Sequence, residues 1–506
     1  MKDMLMAAAI ASTNPATGEE LRRFDALSAA ELDRKLALAA ETFRSYRATT
    51  FAQRSGWLWR AGEIFADEVD ALGRLATLEV GKTLVSSLAE VRKCAAGCRY
   101  FAEHAEAMLA DQPWPVEAAE VYTRYEPLGP VLAIMPWNFP YWQVVRFAAP
   151  ALMAGNVGLL KHASNVSQVA LAIEDVFHRA GFPDGAFQTL LIGSGAIEGV
   201  ITDDRVRAVT LTGSEPAGRQ VAAAAGRNIK TSVLELGGSD AFIVMPSADL
   251  DDAVANAVTS RTLNNGQSCI NAKRFIVHND IAEEFERQLV QRMQALVVGD
   301  PMDEQTDIGP LSSSAAVETL DRQVRDTVAA GGRLLTGGKP LDGPGSFYPP
   351  TVIADVPDGS PGHHEEFFGP VALLWRARDV DNAIRIANDS SFGLGGSAWT
   401  RDRVEQQRFV NEVETGMMYI NKFTESTPSG ALRRDQELRV RPGARPIRSP
   451  LIRQRQDGVD RGVQTASRRR GVRHPGSISV QLDLSSARSQ FSADIDVQVS
   501  QGTVQS

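Results

Sequence analysis

Val131-Leu132-Ala133-Ile134-Met135-Pro136-Trp137-Asn138-Phe139-Pro140 runs from five apolar residues into a proline-bounded turn. An apolar run without alternation suits a strand buried on both faces, as in a parallel sheet covered by helices. Asn138, held between aromatic residues past the strand's end, either closes the turn or points an amide into a cleft. The following segments repeat the theme. Residues 157–161 read as a second buried strand, 166–179 as a helix, and 188–192 and 206–211 as further strands. Thr212-Gly213-Ser214-Glu215-Pro216-Ala217-Gly218 opens another helix, and 231–236 is again apolar and extended. This alternation predicts an α/β fold built on a doubly wound parallel sheet.

Two places in this half invite chemistry. Gly213 and Ser214 stand at a helix start, where free backbone N–H groups can cradle a pyrophosphate. The Gly-x-Gly-x-x-Gly fingerprint is absent, so a plain glycine turn is the competing reading. Glu235 lies in an apolar strand before Gly237-Gly238, either paired structurally or kept for proton transfer. Gly81-Lys82-Thr83 lacks the glycine that a phosphate loop needs five residues earlier, since Ala76 is there.

Upstream, Ser28 with Glu31 forms a capping box, and helices are expected at 51–68 and 86–109. Residues 113–127 suit extended strands and predict an arm or edge hairpin. Downstream, strands are expected at 241–245, 274–277, 396–399 and 418–421, with helices between them. Asn265-Gly266-Gln267-Ser268-Cys269 falls between a helix and a strand. A thiol on such a loop can be exposed and aimed, although a lone cysteine is commonly just buried. Cys94 and Cys98, four apart on a helical pattern, read as packing residues.

Composition sets bounds. The chain has 506 residues, enough for two or three domains, with three cysteines and a net charge of −9. That charge gives no support to binding nucleic acid or anionic membranes. The cysteine count suits a reducing compartment. The apolar run from Met4 to Ala11 is short and weakly flanked for a leader, so a cytoplasmic protein is expected. A Cys–His hydrolase is a weak reading, because the one nearby histidine, His278, sits at the far end of a strand.

Taken together, five motifs resemble the aldehyde dehydrogenase superfamily. They are 135–140, Thr212-Gly213-Ser214 with Gly218, Leu234-Glu235-Leu236-Gly237-Gly238, Gly266-Gln267-Ser268-Cys269, and Glu365-Glu366-Phe367-Phe368-Gly369-Pro370. The resemblance runs from about Asn14 to Pro428 and is nearest to succinate-semialdehyde dehydrogenases. It implies a dinucleotide-binding part (7–114 and 129–236), an arm (115–128), a second α/β catalytic part (237–428) and a homo-oligomer. It further implies Cys269 as nucleophile, Glu235 as general base and Asn138 as an oxyanion donor. Trp137, Lys161, Ser164, Gly213, Ser214, Glu366 and Phe368 would hold the cofactor. No metal is implied.

Many NAD-preferring relatives carry Glu where Ser164 stands here. A carboxylate would repel a 2′-phosphate and Ser164 does not, so NADP is the expected cofactor and NAD the alternative. Arg146 sits where related semialdehyde enzymes keep an arginine for the substrate carboxylate. A second arginine used by some relatives is Leu263 here.

The resemblance stops at the tail. Residues 429–506 hold 14 Arg, no Lys and 7 acidic residues, a charge of +7 within a chain of −9. Allowed codons for residues 429–444, read one nucleotide later, spell Arg-Ala-Pro-Phe-Gly-Gly-Ile-Lys-Asn-Ser-Gly-Tyr-Gly-Arg-Glu-Leu, which resembles the family's closing segment. Residues 454–460 likewise allow a string similar to its last strand. The expectation is a frameshifted, irregular basic tail that lacks the pairing strand and part of the pocket, with a natural disordered extension as the rival.

Overall fold

The structure is a computed structural model that describes residues 10–115, 120–427 and 453–460, the last stretch and Glu120 by backbone alone. Apart from 453–460, the tail expectations lie outside the described residues.

The opening decapeptide folds as its composition requires. Pro130–Met135 is a wholly buried strand at the centre of a five-stranded sheet. The order across this sheet is Phe187–Thr189, Val157–His162, Pro130–Met135, Ala208–Thr212, Thr231–Glu235, and every pair is parallel. Helices Trp142–Met153, Ser167–Arg179 and Glu215–Arg227 link or follow these strands. Continuous Val, Leu and Ile on the strands lets both faces join one apolar core with the N-terminal helices. The edge strand is shorter than the predicted 188–192.

A second sheet has seven strands in the order Arg333–Thr336, Thr351–Ala354, Val371–Ala377, Ala272–His278, Asp240–Val244, Gly396–Trp399, Met418–Ile420. Its first pair is antiparallel and the rest are parallel. The doubly wound α/β class expected from the sequence is the class observed. Asp249 caps Leu250–Thr262, the helix that leads to the Cys269 loop, by accepting the Asp252 N–H. The Ser28–Glu31 capping box forms as read. Cys94 and Cys98 are both buried in the Leu84–Met108 helix.

The predicted arm is an antiparallel pair, Gln112–Trp114 with Glu120–Pro127, in the register Gln112↔Thr123 and Trp114↔Val121. Arg453–Asp460 adds a third strand beside Glu120–Pro127. Among the described residues no helix is long and apolar enough to cross a membrane.

Candidate active site

Cys269 follows a short 3-10 turn, Leu263–Gly266, whose backbone is unusual. Asn264, Asn265 and Gly266 take φ of 58°, 55° and 75° in succession. Left-handed backbone costs energy for residues with a Cβ, so three in a row persist only when their surroundings hold them. The holders are identifiable. Asn265 donates to the Gly81 and Pro310 carbonyls (3.0 and 2.9 Å) and accepts from Gly309 N–H. Asn264 donates to the Asn138 and Gln267 carbonyls. Arg261, fully buried, donates to the carbonyls of Gly266, Gly369 and Ala272. A Cβ on Gly266 would lie 2.3 Å from the Gly369 carbonyl carbon, so only glycine fits there.

These bonds bring the expected residues together. Asn138 is buried, and its side-chain amide donates to the Gln267 carbonyl at 3.1 Å. The loop after the central strand is thereby tied to the loop before the thiol. Across the site, a Cβ on Gly238 would fall 2.3 Å from the Cys269 carbonyl oxygen. The glycine pair after Glu235 is what allows the two segments to approach.

Cys269 borders two cavities. One, of about 230 Å³, is lined by Trp137, Asn138, Gly213, Ser214, Glu366 and Phe368 among others. The Trp137 and Phe368 rings meet edge-on at 5.7 Å. The other, of about 420 Å³, is lined by Glu235, Arg146, Leu263, Lys93, Trp142 and the closing segment from Phe423 to Thr427. The Trp142 indole N–H holds that segment through Ser426 Oγ at 3.0 Å.

Lys161 and Ser164 line neither cavity. Lys161 is the last residue but one of the Val157–His162 strand, buried, and among the described residues no carboxylate pairs with it. Burial pushes its ammonium below the ordinary lysine value. Ser164 is exposed at the next turn.

One expectation needs correction. The Gly213 N–H is not free for a phosphate, because it donates to the Glu235 carbonyl at 2.9 Å. Thr212 and Glu235 are register partners in the parallel sheet, and this bond continues their ladder. Ser214 is the N-cap of the Glu215–Arg227 helix, and Pro216 removes one further donor.

Lys273, wholly buried one strand residue past the loop, escaped the sequence reading. Its ammonium donates to the Ser268 and Cys269 carbonyls (2.7 and 3.1 Å) and meets Glu366 at 3.1 Å. Glu366 also accepts the Gly238 N–H. Burial pushes the Cys269 thiol up to about 11; Lys273 and Arg146 oppose that rise, while Glu366 and Glu235 add to it. Burial thus favours the neutral thiol at rest. His278 ends the Ala272–His278 strand and caps the next helix through Asp280 N–H.

The aldehyde dehydrogenase family profile matches residues 5–432. The NADP(+) succinate-semialdehyde dehydrogenase of Mycobacterium avium (strain 104) is 58% identical over 423 residues, 83% of this chain and 90% of that protein. A relative of the same name, numbered 1, from Mycobacterium tuberculosis (strain H37Rv) is 56% identical over 422 residues, covering 83% and 92%. Among solved structures, the succinic semialdehyde dehydrogenase of Streptococcus pyogenes in complex with NADP+ superposes with a TM-score of 0.82. It is 34% identical and covers 84% of this chain and 93% of that one. The protein Gox0499 gives a TM-score of 0.83 at 39% identity, covering 84% and 94%.

Proposed function

Because the chain belongs to the aldehyde dehydrogenase family, we propose that it oxidises succinate semialdehyde to succinate with NADP as hydride acceptor. The observation that carries this reading is Cys269 at the junction of two cavities, one with Trp137, Gly213, Ser214, Glu366 and Phe368 and one with Arg146 and Glu235. The domain division given above, and a family homo-oligomer whose pairing strand would lie in the closing segment, are part of the reading.

In the proposed cycle Cys269, once deprotonated, attacks the aldehyde carbon. A C–S bond forms and the carbonyl π electrons move to oxygen. The Cys269 N–H and the Asn138 amide would stabilise that oxyanion. One Asn138 N–H is anchored on Gln267, which fixes where the other can act. As the carbonyl re-forms, the carbon would give up hydride, for which NADP, when bound, would supply the acceptor. Glu235 would then take a proton from water, which attacks the thioester and releases the thiolate.

The residues present fit NADP. Buried Lys161, with no carboxylate partner among the described residues, can answer a 2′-phosphate, and Ser164 adds a hydroxyl without a competing charge. Glu366 and Phe368 would meet the nicotinamide ribose and ring, with Ser214 toward the pyrophosphate. Purified chain assayed with both cofactors tests this; a tenfold higher kcat/KM with NAD would defeat the NADP assignment.

A second reading rests on where the likeness ends. The family match stops at residue 432, and a frameshift near residue 428 would account for an end close to that point. On this reading the chain is an impaired remnant that still binds a dinucleotide. Sequencing the gene and comparing turnover with a frame-restored chain separates the two; equal turnover excludes the remnant.

A further inference from the structure

The larger cavity contains a cation that the sequence reading did not assign. Lys93 sits in the middle of the Leu84–Met108 helix, three residues after Glu90. Glu90 takes the buried Lys82 ammonium on one oxygen at 2.6 Å. Its other oxygen accepts the N–H groups of Tyr141 and Trp142, each at 2.8 Å. A charged pair that also satisfies two backbone donors locks this helix to the start of the Trp142–Met153 helix. Lys93 shares the Glu90 face, and its ammonium lies 4.5 Å from the centre of the Trp142 ring. Arg146 follows Trp142 by four residues, on the same face of the second helix. Two rigidly joined helices therefore bring two cations to the cavity that holds the thiol.

Neither charge has a direct carboxylate partner among the described residues. Among the described residues no carboxylate oxygen comes within 4.0 Å of Lys93 or Arg146. Glu425, in the same cavity, is paired with Lys422 at 2.6 Å. Burial pushes the Lys93 ammonium down, Glu90 and Glu425 favour its charge, and Arg146 opposes it. An anion placed between the two cations would relieve that opposition. The helix that leads to the thiol loop sends no cation into this cavity: Leu263 lines it, and Arg261 is spent on backbone carbonyls.

We infer that Lys93 and Arg146 together form the site for the distal carboxylate of the aldehyde, with Lys93 taking the place of a second arginine. This rests on the proposed function and deepens it: the preferred substrates are short aldehydes with a carboxylate at the far end, rather than neutral aldehydes of equal length.

The test uses the full chain and a readout separate from turnover. Iodoacetamide alkylation of Cys269 is measured with succinate or butyrate as protectant, in the wild type, Lys93→Met and Lys93→Arg. Succinate should protect the wild type at a concentration about tenfold or more below butyrate, the difference one charge-assisted contact makes. Lys93→Met should lose most of that difference, and Lys93→Arg should keep most of it. The inference is overturned if Lys93→Met retains the wild-type preference, if both acids weaken alike, or if the wild type shows no preference. Turnover with succinate semialdehyde and butanal is measured alongside. Protection without turnover of either aldehyde would sink the proposed function and leave this site standing.

Discussion

The two cavities that meet at Cys269 are built on different principles. On the Trp137 side several polar groups are already engaged. Asn138 is tied to Gln267, Glu366 to Lys273 and Gly238, and the rings of Trp137 and Phe368 brace one another. On the Arg146 side two cations stand without carboxylate partners among the described residues, and the wall from Phe423 to Thr427 is tied by the Trp142 indole to Ser426 and by the Tyr419 hydroxyl to the Glu425 carbonyl. The first arrangement suits reproducible geometry and the second suits selection of a ligand. Shape and charge are divided between the two sides, and the thiol belongs to both.

The strongest way to break the comparison is to remove the shared atom. Cys269→Ala should lower aldehyde turnover by about 10⁴-fold or more while cofactor titration still shows binding, because the cavity walls do not depend on the sulfur. Next, Glu235→Gln should slow steady-state turnover by roughly 10²- to 10³-fold and preserve a first-turnover burst of NADPH, since its proposed work follows hydride transfer. A burst that vanished with the steady state would remove Glu235 from that role.

Lys161→Ala should weaken use of NADP by about tenfold or more relative to NAD, read as the ratio of the two kcat/KM values. An unchanged ratio would separate Lys161 from the 2′-phosphate. The mildest probe is pH. With the thiol raised to about 11, alkylation of resting Cys269 should climb roughly tenfold per unit from pH 7 upward, as the thiolate fraction does. A plateau near neutrality would mean that the surrounding cations outweigh burial.

Much of this was readable in advance, for stated reasons. The Gly396–Trp399 strand was read to the residue because a glycine-rich turn bounds it. Cys269, Asn138 and Glu235 each interrupt an apolar or turn pattern with a polar group, but the pattern left their roles open and only the family resemblance assigned them. The error at Gly213 has a long-range cause. Whether its N–H is free depends on a strand more than twenty residues later and on the register of that pairing. Lys93, Arg261 and Lys273 were passed over for a similar reason. A lysine on a helix or strand is ordinarily a solvated side chain, and only tertiary packing showed Lys273 buried against two carbonyls. The left-handed backbone of Asn264 and Asn265 was equally invisible, since asparagine tolerates that conformation without demanding it.

That loop has a consequence for how the protein ages. In an open chain the Asn-Gly sequence at Asn265 and Gly266 is prone to cyclise, the following nitrogen attacking the side-chain carboxamide with loss of ammonia. Here the carboxamide is held at both ends, its nitrogen on two carbonyls and its oxygen on Gly309 N–H, and cannot turn toward that nitrogen. The native contacts thus protect a chemically fragile bond four residues from the nucleophile. Any excursion that opens the turn starts a one-way reaction, and its product carries a new negative charge where a thiolate has to form.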